Sequence, residues 1–174
     1  IKSLYHSKTQ PAALPIQYAD YSAWHAQQLN QEVISEQRSY WTHQLADAPR
    51  VTDFPFDNPR SNIASHNGDS FSVALPTGLA SRAIEFSENA GTSLFTLGLS
   101  VYCALLNRYS QQDDIVVGTP VSNRPHPKLE SLIGFFLNTL PIRAKLDEKQ
   151  SFGELLGQVQ ETVFGAISNQ DVPF

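Results

Sequence analysis

The sequence predicts a two-layer α/β fold with a mixed sheet, and three observations carry that reading. Short alternating or β-branched runs read as strands, long 3.6-periodic stretches read as helices, and the two kinds do not alternate strictly one for one. With 174 residues, the chain is long enough for one domain with a real core, or for one lobe and part of another. Its content of 41% hydrophobic and 17% charged residues, without low-complexity tracts, is that of a globular protein rather than a disordered one.

In chain order, "IQYADYSAWHAQQL" at 16–29 follows Pro15 and spaces Tyr18, Tyr21, Trp24 or His25, and Gln28 as one helix face. "EVISEQRSYWTHQL" predicts a second helix with Val33, Ile34, Gln37, Tyr40, Trp41 and Leu45 on one side. "ADAPRVTDFPFDNPRSN" is rich in Pro, Asp and Asn and reads as an extended connection. "SFSVAL" alternates Phe71, Val73 and Leu75 with polar positions, the pattern of a strand with one buried face. A helix follows near 78–90, with Thr77 as its cap and Gly91 just past its end. The stretch 93–109 is apolar nearly all round, which predicts a helix buried between layers.

"DIVVGTP" reads as a strand closed by Gly118 and Pro120. In "FFLNTLPIRAKL", Phe136, Asn138, Leu140 and Ile142 share one strand parity, and Pro141 implies an edge or a bulge. That parity turns the Asn138 carboxamide inward, where an unpaired polar group costs about 1–3 kcal/mol. The last element is the best defined. "SFGE" at 151–154 is a capping box, followed by Leu155, Leu156, Val159, Val163 and Ile167 on an amphipathic helix.

The net charge of −5, without a Lys/Arg block, excludes a nucleic-acid surface built on phosphate contacts. Cys103 lies in an apolar run and reads as a buried, inert thiol. No run approaches the roughly 18 apolar residues of a membrane span, so the chain reads as cytoplasmic, with no membrane partner. It starts at Ile1, contains no methionine and stops at "NQDVPF", which predicts a piece of something longer.

A serine-hydrolase elbow and a phosphate-binding loop are both absent. His6, His25, His43, His66 and His126 are scattered singly, without metal-ligand spacing, and read as surface or capping residues. No metal site is expected. Asp113 and Asp114 read as a turn before a strand. Three clusters stand out. "YADYSAW" packs two tyrosines, an aspartate and a tryptophan into two turns, consistent with an aromatic face on a core. "GTPVSNRPHP" places Asn123 and Arg124 directly after a strand, where the arginine is either solvated or able to reach a carboxylate in a cleft. Asn138 is the third, with a satisfied structural amide at a bulge as the plain alternative to a site residue.

Taken in order, "YADYSAW", "QRSYWTHQL", "FPFDNPR", "QDDIVVGTPVSNR", "LIGFFLNTLPIR" and "NQDVPF" resemble successive signature segments of the condensation domain of nonribosomal peptide synthetases, over essentially the whole chain. The resemblance implies a domain of two chloramphenicol acetyltransferase-like lobes with an active-site tunnel at their seam. Residues 1–50 would supply inter-lobe helices and a linker, 51–68 an extended connection, and 69–174 the C-terminal lobe, incomplete at its end. Donor and acceptor carrier proteins would deliver thioesters on phosphopantetheine arms, with no cofactor bound directly, and the acceptor amine would attack the donor thioester. A neighbouring adenylation domain and the N-terminal lobe are further implied partners.

The family's His-His-x-x-x-Asp-Gly motif does not occur here, so no catalytic residue is assigned and the chain alone is not expected to be active. The resemblance makes Arg124 the partner of that motif's Asp. Asn138 becomes an active-site support, and Ser122, Asn123, Gly134, Phe135 and Thr139 become tunnel or motif positions. Asp20, Tyr21 and Trp24 would pack between lobes. Epimerisation and heterocyclisation relatives share the fold, but "GFFLNTLPIR" favours condensation. A catalytically silent member that recruits a partner protein is the remaining alternative.

Overall fold

A computed structural model describes residues 13–29, 31–58, 63 and 68–173. His6, His66 and part of the predicted 51–68 connection lie outside the described residues. At its centre, strands β1 (Asp114–Val121) and β2 (Asn138–Lys145) form an antiparallel ribbon in which Ile115 faces Ala144, Val117 faces Ile142 and Gly118 faces Pro141. The register runs unbroken through Pro141, so of the two expectations for that proline the bulge fails. Among the described residues β2 pairs with β1 alone, which lets it carry a proline as an edge strand does.

One face of the ribbon buries Ile115, Leu140, Ile142 and Ala144. Against it lie two helices, α4 (Leu94–Ser110) and α5 (Phe152–Ser168), contributing Leu99 and Cys103 from the first and Leu155, Val159, Val163 and Ala166 from the second. This layer of helix on sheet is the α/β arrangement the periodicities predict, with an antiparallel pair rather than a mixed sheet among the described residues. The capping box of α5 is formed: Ser151 Oγ accepts from the Glu154 amide at 3.3 Å, and the Glu154 carboxylate accepts from the Ser151 amide at 2.7 Å. In the last turn, however, Ala166 is the buried residue and Ile167 is exposed.

Helices α1 (Tyr18–Gln28), α2 (Gln31–Gln44) and α3 (Thr77–Asn89) complete the described elements, with a short 3-10 turn at Pro127–Leu129. Helix α3 starts one residue earlier than expected, with Pro76 rather than Thr77 at the cap. It ends where expected, since Gly91 takes a φ of 64°, a conformation that favours glycine. Ser93 caps α4 by accepting from the Thr96 amide at 3.0 Å.

Three expectations give way. Helix α4 is not buried all round, because ribbon and α5 cover one side and leave Phe95, Tyr102, Leu105 and Tyr109 exposed. Residues 69–76 form no strand, and Phe71 is 93% exposed. The alternation is present, but a strand also needs a neighbour for its N–H and C=O groups, and none lies among the described residues. β1 continues through Gly118 and Pro120 to Val121 instead of closing there, and Asp114 is its first residue rather than part of a turn. Among the described residues, no single helix is long and apolar enough to cross a membrane.

Candidate functional site

The motif segments meet around a cleft of about 330 Å3. One wall is a stripe of α1 at helical spacing, Tyr18, Tyr21, Ser22, His25, Ala26 and Leu29. Opposite lie Asn123 after β1, the extended segment 135–138 entering β2, and Asp171 with Pro173 after α5. Chain positions more than a hundred residues apart therefore share one surface.

Aromatic packing fixes α1 on this wall. Tyr21 is buried with Leu129, Leu132 and Phe136, its ring centroid 4.8 Å from that of Phe136. Tyr18 meets Phe136 edge-on at 5.1 Å and donates its hydroxyl to the Phe135 carbonyl at 2.9 Å. A Cβ on Gly134 would lie 2.2 Å from the Tyr18 ring, so only glycine lets the helix approach this closely. Burial raises the pKa of the Tyr21 hydroxyl, helped by Tyr18 and Asp171 and opposed by Arg124. The hydroxyl therefore stays protonated at neutral pH.

After β1 the chain passes through Asn123 in the left-handed region, φ 45°, and delivers Arg124 beneath the site. The Arg124 guanidinium lies 3.9 Å from the centre of the Phe136 ring. It donates to the Leu129 and Leu132 carbonyls, the latter at 3.1 Å, stitching the loop between the strands to the aromatic cluster. His126 acts as a cap, its Nδ1 accepting from the Lys128 amide at 3.1 Å.

Asn138 is fully engaged. Its Nδ2 donates to the Gln170 carbonyl at 2.7 Å and the Val172 carbonyl at 2.9 Å, and its Oδ1 accepts from the Thr139 amide at 2.9 Å. From the other side, the buried Gln37 of α2 donates to Asp171 Oδ2 at 2.9 Å and accepts from the Asp171 and Val172 amides at 3.1 and 3.3 Å. Trp41 Nε1 donates to the Asn169 carbonyl at 2.7 Å. Segment 169–173 is thus clamped between β2 and α2. The inward carboxamide is compensated by backbone carbonyls, which removes the burial cost.

Of the predicted site residues, Tyr21, Asn123, Phe135 and Asn138 line the cleft, and Arg124 and Gly134 support it from below and beside. Ser122 and Thr139 are exposed, and Thr139 borders a separate shallow depression with Trp41 and Pro141. Asp20 is exposed and caps α1 by accepting from the Gln17 amide at 2.8 Å, and Trp24 is 46% exposed, touching Tyr21 at a ring distance of 6.0 Å.

The sequence reading missed four residues. Gln37 and Tyr18 are recognisable only as helix-face positions until their partners are known. His25 is not a surface residue: its ring stacks on Tyr21 at 5.4 Å, and its buried Nε2 makes no hydrogen bond among the described residues. Arg143, 6% exposed, forms a bidentate pair with Asp114, Nε to Oδ1 at 2.8 Å and Nη2 to Oδ2 at 2.5 Å, and donates to the Gln44 and Ala46 carbonyls at 3.0 and 2.6 Å. It ties the end of α2 to the ribbon.

Cys103 is fully buried with its thiol pushed up to about 11, and no cluster of three His, Cys, Asp or Glu suited to a metal occurs among the described residues.

The family described as Condensation domain matches residues 1–174. The phosphinothricin tripeptide synthetase PhsC of Streptomyces viridochromogenes is 43% identical over 161 residues, covering 92% of this chain and 15% of its own length. Gramicidin S synthase 2 of Brevibacillus brevis is 37% identical over 174 residues, 100% of this chain and 4% of that one. The chain therefore spans a small part of these relatives. Among solved structures, the complex of the X-domain and OxyB from teicoplanin biosynthesis superposes with a TM-score of 0.86 at 33% identity, covering 95% of this chain and 37% of that one. A four-domain nonribosomal peptide synthetase, holo-AB3403 bound to AMP and glycine, gives 0.77 at 29% identity over 80% of this chain and 11% of that one.

Proposed function

The chain belongs to the condensation-domain family of nonribosomal peptide synthetases, and from that premise we propose that it braces the acceptor and donor path of a peptide-bond-forming acyltransferase. The observation that carries the reading is the convergence of "YADYSAW", "SNR", "GFFLN" and "NQDVP" on one cleft. In the proposed reaction, two thioesters on phosphopantetheine arms of carrier domains meet, the acceptor amine attacks the donor carbonyl, and the thiolate leaves. Adenylation and carrier domains are the neighbours this requires, in the cytoplasm. Residues 1–50 serve as inter-lobe helices, 51–68 as connection and 69–174 as part of the C-terminal lobe.

This chain's residues position rather than react. Holding two reactants in near-attack geometry supplies a large share of such a rate without a covalent enzyme intermediate. Asn138 and Gln37 fix the 169–173 segment that edges the cleft, and Tyr18 and Tyr21 fix α1 across from it. Arg124 has two terminal nitrogens committed to carbonyls and one face to Phe136, and its Nε–H remains for the carboxylate of the family's histidine motif. The chain without that motif is inactive on this reading.

The test is Arg124→Ala in the intact protein, followed by single-turnover peptide formation between carrier-bound thioesters. Misplacing the motif loop lowers the rate by about 10²-fold; unchanged turnover and stability reject the bracing role. The likeness to an X-domain solved with OxyB supports a second reading, a silent member that recruits a partner protein. That member would leave both thioesters unreacted in the same assay and retain the partner on a column.

A further inference from the structure

We infer that the cleft between α1 and the 169–173 segment is a primary-amine site, with the Asp171 carboxylate as the group that holds the amine. The inference rests on the condensation reading for its biological ligand, but its chemistry stands on the cleft alone. Asp171 is set by Gln37, which donates to its Oδ2 at 2.9 Å and accepts from its backbone amide at 3.1 Å. Gln37 itself is buried at 7% exposure, so the carboxylate is supported from behind by a rigid partner. Asp171 Oδ1 makes no hydrogen bond among the described residues, and the residue lines the cleft.

The other walls complete the chemistry. A primary ammonium has three donors and no acceptor. Besides Asp171, the cleft presents Ser22 and Asn123, neither of which uses its side chain in a hydrogen bond among the described residues. The Tyr18 and Tyr21 side chains line the same space, although the Tyr21 ring is already stacked by His25 at 5.4 Å and packed on Phe136 at 4.8 Å. One carboxylate and two neutral acceptors, beside the apolar Ala26 and Leu29, describe a cradle for an amine attached to a small apolar body. A carboxylate-bearing ligand would be repelled by Asp171, which fits an amino acid whose own carboxyl is masked as a thioester or amide. The cleft is at the small end of ligand sites, about 300 Å3 and upward, so it takes a residue-sized group rather than a long peptide.

Asp171→Asn keeps a Gln37 partner and the side-chain shape while removing the charge. In the intact protein, the affinity for alaninamide is compared with that for N-acetylalaninamide, which lacks the amine. The expected result is that alaninamide binds more tightly than its acetylated form, and that Asp171→Asn weakens alaninamide by about tenfold or more while leaving N-acetylalaninamide unchanged. Equal affinity for the two probes, or equal weakening of both, overturns the assignment. Should the variant not fold, the carboxyl carbon-13 resonance of Asp171 in the wild-type protein is followed during alaninamide addition; a shift supports the site and its absence overturns it. Kinetically, Asp171→Asn raises KM for the amine-bearing acceptor thioester and leaves the KM of the donor thioester in place. Amine binding through Asp171 without peptide formation refutes the condensation reading and not the amine site. Peptide formation with a KM indifferent to Asp171→Asn does the reverse.

Discussion

Arg143 and Arg124 both hold loops by their backbone carbonyls, yet they leave opposite balances behind. Around Arg143 the charge is closed: a bidentate carboxylate from Asp114 and two carbonyls at the end of α2 account for the guanidinium at 6% exposure. Around Arg124 there are two carbonyls and an aromatic face, but no carboxylate within hydrogen-bond reach among the described residues. In the cleft, Nε2 of His25 and one carboxylate oxygen of Asp171 make no hydrogen bond among the described residues. Beside the ribbon, Thr92 Oγ1 and Gln158 Oε1 are also buried without a hydrogen bond among the described residues, so the contrast lies between the two arginines rather than in every polar group.

The sharpest way to break this comparison is to remove each arginine. Arg143→Met leaves the Asp114 carboxylate and two carbonyls without their donor, and is expected to cost about 3–5 kcal/mol in urea denaturation. Arg124→Met loses a cation–π contact and two neutral acceptors, and is expected to cost about 1–2 kcal/mol in the same measurement. Equal losses would show that the two sites are balanced alike, and the distinction between a closed region and an open one would fall.

Asn138 tests the boundary between the regions, because it belongs to β2 and holds the edge of the cleft. Asn138→Ala removes the donor to the Gln170 and Val172 carbonyls and is expected to cost about 2 kcal/mol. Amide hydrogen exchange should quicken at Asp171 and Val172 while the β1–β2 ladder keeps its protection. Faster exchange across the ribbon as well would mean that the clamp and the core are one cooperative unit.

Much of this was legible in the sequence, for local reasons. Helix α5 could be placed because its capping box and its 3.6-residue period are both local signals, and the inward parity of Asn138, Leu140 and Ile142 is a local signal too. The order of motif segments pointed to Tyr21, Asn123, Phe135 and Asn138, which line the cleft, but also to Ser122, Thr139, Asp20 and Trp24, which do not. What stayed hidden depends on partners far along the chain. The Arg143–Asp114 pair is diagonal across a ladder whose register pairs Asp114 with Lys145 and Val116 with Arg143, and the register is not written in either strand alone. The clamp by Gln37 was visible only as a polar residue on an otherwise apolar helix face. Residues 69–76 show the reverse error, a strand pattern without a neighbour to pair with. Ile167 and the outer side of α4 show that an apolar residue in a periodic stretch need not find cover.

The smallest expected effect lies at the start of α5, the helix that runs from the ribbon side of the molecule to the clamped segment. Ser151→Ala removes the hydroxyl that accepts from the Glu154 amide, a cap loss of about 1 kcal/mol. Glu154 reports on the same box. Hydrogen bonds from the Ser151 amide and hydroxyl hold its carboxyl below the ordinary glutamate range. A depressed value in the folded state means that the carboxylate stabilises the fold above the unfolded value, and that this contribution disappears as pH falls through the folded value. Between pH 7 and pH 3, wild-type and Ser151→Ala stabilities should therefore converge, because protonation takes from the wild type what the mutation has already weakened. The exchange rates at Asp171 and Val172 should not change in the variant. If they rise, α5 transmits strain from its first turn to the cleft, and the closed and open regions are mechanically joined through it.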